Sequence, residues 1–292
     1  MIHNERIDLP GGAKLFSYAQ AWGPFPGTRV RRGAVIVCPG GGYAALSRTE
    51  GEAIALALVA QGYQAFVLKY RIQDEARWPN PLVDAAQAVA YVRSHATEFD
   101  IFPDNIAMAG FSAGGHVSAA LGTMWDRPEV QQLAGATGEQ IRPNALILGY
   151  PALNLRIDRG GAEVCRTLGG DRPLDELLAE TDTIAAVGAN TPPTFLYSIF
   201  TDGAVPVEQG LQFCARLAAH DIPFELHTFA DGEHASSLGT DATAFGGETY
   251  PHNAHWFGLC MEWLRTIFRA PEIVGTPPIL PPMGSGRAKM ME

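Results

Sequence analysis

Apolar residues in this chain fall into short unbroken runs separated by longer segments of helical spacing. The runs 33–38 (GAVIVC), 64–70 (QAFVLKY), 106–110 (IAMAG), 144–150 (NALILGY) and 194–200 (TFLYSIF) show little alternation of polar and apolar positions. Strands buried on both faces of a parallel sheet read this way. A further run at 224–229 (FELHTF) predicts the last strand, and the loose alternation of residues 7–22 predicts one or two edge strands. Between them, TEGEAIALALVAQG, LVDAAQAVAYVRSHA, VSAALGTMW, PVEQGLQFCARLAAH and HWFGLCMEWLRTIF have the spacing of helices. Residues 151–190 read as irregular around one polar helix, RPLDELLAET. Strands alternating with helices predict an α/β fold with a mostly parallel central sheet and helices on both faces. One domain is expected over residues 1–270, with a short lid-type insertion at about 151–190. The proline- and glycine-rich residues 271–292 are expected to form a flexible tail.

Composition narrows the partners more than the fold. The 292 residues are 47% hydrophobic and 18% charged, ordinary for a globular enzyme. A net charge of -10 argues against nucleic acid or an anionic membrane as a partner. No apolar run approaches the roughly 20 residues of a membrane span, and the opening MIHNERIDLPGG lacks the apolar core of a signal peptide. Cys38, Cys165, Cys214 and Cys260 are scattered, without metal-type or paired spacing. They suit buried thiols in a reducing, cytoplasmic setting. No metal or cofactor is implied, and a homo-oligomer is left open.

The candidate chemistry centres on Gly110-Phe111-Ser112-Ala113-Gly114, a G-x-S-x-G pattern between a predicted strand and a predicted helix. A serine on so sharp a turn takes a strained backbone conformation, and side chains two residues either side of it would clash. A serine hydroxyl needs a histidine to take its proton and an acid to hold that histidine. In this arrangement the acid and then the histidine follow later strands. Asp202 comes directly after the run 194–200, and His234 soon after the run 224–229. Asp202 can instead cap the helix beginning near Pro206. Asp231 and Glu233 are too local to His234 to be preferred, and His116, one helical turn past Ser112, is expected to pack at the helix start. After the first buried strand, Gly40-Gly41-Gly42 can bring N–H groups close to a substrate oxygen or form a plain tight turn. The preferred donors are Gly41 and Ala113, with Gly42 beside them. Trp78, next to a proline turn, can stack on a sugar ring or fill the core, and Tyr43 is a second candidate for substrate contact. Arg71 and Asp84 are expected to pair and pin that turn, and Glu50 and Glu52 to be first-turn helix acids.

Over roughly residues 33–264 the chain resembles the single-domain α/β-hydrolase esterases of the acetyl xylan esterase or carbohydrate esterase group. The resemblance rests on CPGGGY, SRTEGEAIALAL, GYQAFVLKYR, PNPLVDAAQAV, GFSAGGH, TPPTFL, DGAVPVEQ and DGEH. It implies Ser112 as nucleophile, His234 as base, Asp202 as its orienter, and Gly41 with Ala113 as oxyanion donors. One departure is Ala235, where such proteins commonly have glycine. The implied activity is hydrolysis of small acyl esters, acetyl-like and carried on carbohydrate, through an acyl-enzyme. Two other readings stay open: a serine exopeptidase resembling prolyl oligopeptidases, and a non-catalytic binding protein on a hydrolase scaffold. Transfer of the acyl group to an acceptor other than water is also left open.

Overall fold

The computed structural model describes residues 2–275 apart from 22, 26, 157–159 and 245–247. In chain order its first half holds β1 (Ile2–His3), β2 (Arg6–Asp8), β3 (Lys14–Gln20), β4 (Arg29–Cys38), α1 (Glu52–Ala60), β5 (Gln64–Lys69), α2 (Asn80–Ser94), β6 (Ile101–Phe111) and α3 (Ala113–Met124). Then come α4 (Pro128–Ala134), β7 (Ala145–Gly149), α5 (Gly161–Gly169), α6 (Leu174–Thr181), β8 (Thr194–Ile199), α7 (Val207–Ala219), β9 (Phe224–Phe229), α8 (His255–Ile267) and β10 (Glu272–Val274).

Six strands lie side by side in the order β5-β4-β6-β7-β8-β9, and every neighbouring pair is parallel. β3 extends this sheet antiparallel to β5 and carries β1 and β2 on its other side. Successive strand residues serve opposite faces. Ile36, Met108, Leu146 and Leu196 pack with Val89 of α2, Val117 of α3 and Phe213 of α7. Val37, Ala109, Ile147 and Tyr197 pack with Leu58 of α1 and with Trp256 and Leu264 of α8. Every residue of β7 and β8, and of the stretches 33–38 and 106–111 in β4 and β6, is buried whichever way it points, so these runs carry no polar alternation; a fully buried Val, Leu or Ile contributes about 1.5–3 kcal/mol. The Arg71–Asp84 pair forms as expected, with Arg71 Nη2 2.8 Å from a fully buried Asp84 carboxylate.

Strand order reverses at β4. The chain runs from β4 to β5 on one side and then crosses to β6 on the other. Loops leaving the carboxyl ends of β4 and β6 therefore diverge over a crevice, where ligands of open α/β sheets bind.

Three elements depart from the sequence reading. α4 carries Pro128 and Glu129 in its first turn and stops at Gly135 in a left-handed conformation, φ 68°, signals of a helix start and stop. α5 occupies part of the stretch expected to be irregular, because Val164 and Leu168 bury one face between glycines that read as breakers. β10 pairs antiparallel with the start of β4, through Glu272 opposite Arg31 and Val274 opposite Arg29. The expected tail therefore does not begin at residue 271; residues 276–292 lie outside the described residues. Among the described residues, no helix is long and apolar enough to cross a membrane.

The tightest point of the fold is where α3 meets the sheet. A Cβ on Gly114 would lie 2.0 Å from the Cys38 carbonyl oxygen, and one on Gly110 would lie 2.1 Å from the Gly114 carbonyl oxygen. Both neighbours are backbone and cannot swing aside. Gly114→Ala is expected to lower stability by about 3 kcal/mol or more, read by chemical denaturation. Unchanged stability would mean that α3 can move off β4 at little cost.

Candidate active site

β6 ends at Phe111, and Ser112 follows as the residue preceding α3, with φ 51° and ψ -119°. This is strained backbone for a residue with a side chain. It is held by the Ser112 N–H donating to Gly149 O at 3.1 Å and by Ser112 O accepting from the N–H groups of His116 and Ala152. Asp202 lies in the turn after β8 and His234 in the loop after β9. The three side chains form one hydrogen-bonded chain. His234 Nδ1 lies 2.7 Å from Asp202 Oδ2, and His234 Nε2 lies 2.7 Å from Ser112 Oγ. A carboxylate can only accept, so Nδ1 carries the ring proton and Nε2 is left to accept from the serine hydroxyl. The second oxygen of Asp202 accepts from the N–H groups of Ala204 and Val205 at 2.8 and 3.0 Å, and its side chain is 1% exposed. Asp202 thus makes the local turn and the contact to histidine together.

The loop after β4 winds back on itself. Gly41 O accepts from the N–H groups of Ala44 and Ala45, and Gly40 O accepts from that of Ser47. Gly41 and Gly42 sit at φ 125° and 60°, and a Cβ on Gly41 would lie 2.3 Å from Ala45 O, so glycine is required. Among the described residues, the N–H groups of Gly41, Gly42 and Ala113 have no partner within the protein. Gly40 packs against the serine: a Cβ there would be 2.9 Å from Ser112 Cβ. Gly41, Gly42, Ser112 and His234 line one cavity of about 550 Å³, closed further by Val164, Ala204 and Val205. Ser47, Arg48, Thr49 and Glu163 supply its polar wall, and Glu50 reaches its floor.

Two expected substrate contacts are absent from that wall. Tyr43 is fully buried, and its hydroxyl donates to His116 Nδ1 at 2.6 Å. His116 Nε2 in turn donates to Thr181 O at the end of α6, and burial pushes this imidazole down to about 4, so it stays neutral. Trp78 is 9% exposed and packs against the His116 ring, 5.6 Å between centroids. Tyr43 and Trp78 are therefore core residues that tie the glycine loop, α3 and α6 together. His116 packs at the helix start, as expected.

Glu50 also differs from its expected role. α1 begins at Glu52, and Glu50 precedes it with its side chain 1% exposed, turned into the core. It accepts from Gly40 N–H at 2.9 Å and from Tyr150 Oη at 2.7 Å. Burial raises its pKa, opposed by the Tyr150 donor, by His234 when that ring is protonated, and by the Gly40 N–H and the Ser47 hydroxyl. Its position before Gly51, outside the helix, was the available signal in the sequence. Among the described residues, no group of three or more His, Cys, Asp or Glu side chains could hold a metal ion.

A parallel sheet with a serine on the turn after a central strand, and an acid and histidine after later ones, defines an α/β hydrolase. Its structure is similar to that of an acetyl ester-xyloside bifunctional hydrolase from Caldicellulosiruptor lactoaceticus. The TM-score is 0.72 at 32% identity, covering 88% of this chain and 89% of that one. The chain belongs to the BD-FAE family, whose model matches residues 26–217. An endo-1,4-beta-xylanase B of Butyrivibrio fibrisolvens is 34% identical over 73% of this chain, and an acetylxylan esterase of Xylanibacter ruminicola is 32% identical over 71%. The matches span only 34% and 42% of those two proteins.

Ala235, in the position after His234, has φ 65°, a conformation that costs a residue with a Cβ about 1–2 kcal/mol. Ala235→Gly is expected to raise stability by about 1 kcal/mol, measured by urea denaturation. A loss of stability would show that the Ala235 methyl contributes packing that outweighs the strain.

Proposed function

We propose that this protein is a serine esterase that removes small acyl groups, acetyl foremost, from carbohydrate. One observation carries the reading: the unbroken Ser112–His234–Asp202 chain, with both contacts at 2.7 Å, opens into a cavity beside partnerless backbone N–H groups. In the first step Ser112 Oγ attacks the ester carbonyl while His234 Nε2 takes its proton. Asp202 stabilises the imidazolium through Nδ1. The carbonyl oxygen, now an oxyanion, accepts from Gly41 or Gly42 and from Ala113; a single such donor is worth about 3 kcal/mol in the transition state. His234 then protonates the departing alcohol, and water, activated by the same imidazole, releases the acid.

The substrate class rests on the wall chemistry and on the relatives. Val164, Ala204 and Val205 offer short apolar walls that suit an acetyl group, and the hydroxyls and charges of Ser47, Arg48, Thr49 and Glu163 suit an alcohol rich in hydroxyls. Relatives named for acetylxylan and for acetyl ester-xyloside hydrolysis support a sugar ester. Four free cysteines, three of them buried, support a reducing compartment such as the cytoplasm. The esterase names of the relatives favour ester over peptide hydrolysis, and the intact Ser112–His234–Asp202 chain speaks against a non-catalytic scaffold.

Acetate release from acetylated xylo-oligosaccharides tests this directly. Wild type is expected to be active, and Ser112→Ala to lose about 10⁴-fold or more in kcat. Cleavage of p-nitrophenyl acetate without acetate release from the oligosaccharide would overturn the sugar assignment alone. Inactivity towards both would overturn the esterase reading.

A further inference from the structure

We infer that Glu50 is a positioning residue that holds the glycine loop and the histidine loop in register from beneath the site. The inference rests on the serine-esterase reading above. Glu50 Oε2 accepts from Gly40 N–H at 2.9 Å, directly before the two glycines whose N–H groups face no protein partner. Glu50 Oε1 accepts from Tyr150 Oη at 2.7 Å, and Tyr150 Oη accepts from Ser237 N–H at 3.0 Å. A phenol has one proton; since Ser237 donates into it, that proton goes to Glu50. One buried carboxylate is thereby bonded to the loop after β4 and, through a single phenol, to the loop carrying His234. A second link closes the same frame: Ser237 Oγ donates to Thr49 O at 2.6 Å, one residue before Glu50.

Burial raises the pKa of Glu50, but both its oxygens accept, which suits the ionised form, and a negative charge there stands near His234. The titratable groups facing it are His234 and the phenols of Tyr70, Tyr150 and Tyr197. Asp202 faces His234 from the Nδ1 side. Arg48 and Glu52, on its own segment, are exposed. When His234 takes the serine proton, the new positive charge therefore lies near two carboxylates: Asp202 in contact with it, and Glu50 bonded to a tyrosine whose ring is 5.1 Å from the imidazole. Glu50 does not touch the reacting atoms in this scheme. It aims the donors and favours the protonated base.

The test is Glu50→Gln, with Tyr150→Phe as the second variant and circular dichroism to establish folding. Glutamine must turn its NH₂ either toward Gly40 N–H, opposing a donor with a donor, or toward Tyr150 Oη, which must then give up donating and accept, and in both cases the charge is removed. For p-nitrophenyl acetate, kcat is expected to fall about 10- to 100-fold with KM little changed. The acid limb of the kcat/KM profile is expected to move to lower pH, because a proton on the base is less well held without the neighbouring negative charge. Tyr150→Phe, which strips one donor from Glu50, is expected to shift both readouts in the same direction by less. The pH dependence of Ser112 labelling by a fluorophosphonate reads the same base without an ester substrate. If wild type is not labelled, the serine-esterase reading fails and this inference with it. If wild type is labelled but Glu50→Gln leaves kcat and the acid limb in place, this inference alone is overturned. Should Glu50→Gln fail to fold, an unmoved profile in folded Tyr150→Phe overturns it equally.

Discussion

The approach of α3 to the sheet at Gly114 governs everything around it. No side chain fits between that residue and the end of β4, so the helix begins against the strand's last carbonyl groups. A chain that must leave β6 and enter α3 over so short a distance has one residue in which to turn, and Ser112 takes the strained conformation that does it. The same contact sets the first free N–H of α3 next to the loop leaving β4, because β4 and β6 are neighbours at the point where strand order reverses. Nucleophile geometry and donor geometry are thus two consequences of one packing constraint.

On the histidine side a web of aromatic side chains replaces close backbone packing. Ser237 O accepts from Trp256 Nε1 at 2.8 Å and from Tyr197 Oη at 3.3 Å, while the Tyr197 and Trp256 rings stack 4.6 Å apart. These rings belong to β8 and α8, so the loop carrying His234 hangs from the core of the sheet's second face. Burying the Glu50 carboxylate beside them costs several kcal/mol in desolvation. A glutamine would avoid the cost of burying a charge but could not accept from both Gly40 N–H and Tyr150 Oη as the carboxylate does. A charge kept at such a cost, with both oxygens satisfied and a proton-accepting histidine nearby, fits a role in holding and polarising the site.

The legibility of the chain follows from how local each determinant is. Buried strands announce themselves because both faces are covered. Gly110, Ser112 and Gly114 are read at once because their constraint lies within five residues, and Asp202 and His234 are found because each sits just past a recognisable strand. Tyr43, Trp78 and Glu50 could not be read the same way. Whether a side chain next to a glycine or proline turn points into the cavity or under it depends on partners far away in sequence. His116 lies 73 residues from Tyr43, and Tyr150 lies 100 from Glu50. α5 escaped for the opposite reason: glycines at both ends mask a helix whose stability comes from burying Val164 and Leu168 rather than from its own propensity.

Strain in this protein is concentrated where the loops meet. Among the described residues, the non-glycine positions with positive φ include Tyr43, Ser112, Tyr150, Ala235 and Ser237, all in or directly beneath the site. Four of the five are tied by polar bonds that no relaxed conformation would keep together. Tyr43 is bound to His116, Ser112 to Gly149 and His234, Tyr150 to Glu50, and Ser237 to Tyr150 and Thr49. Such residues persist only when their surroundings over-determine them. Ala235 has no side-chain group to anchor it, so its strain must be borne by its neighbours, His234 on one side and the Ser237 web on the other. The loop that carries the base is therefore held by its flanks: Asp202 bonds the His234 ring directly, and Tyr150 bonds Ser237 N–H further along the same loop.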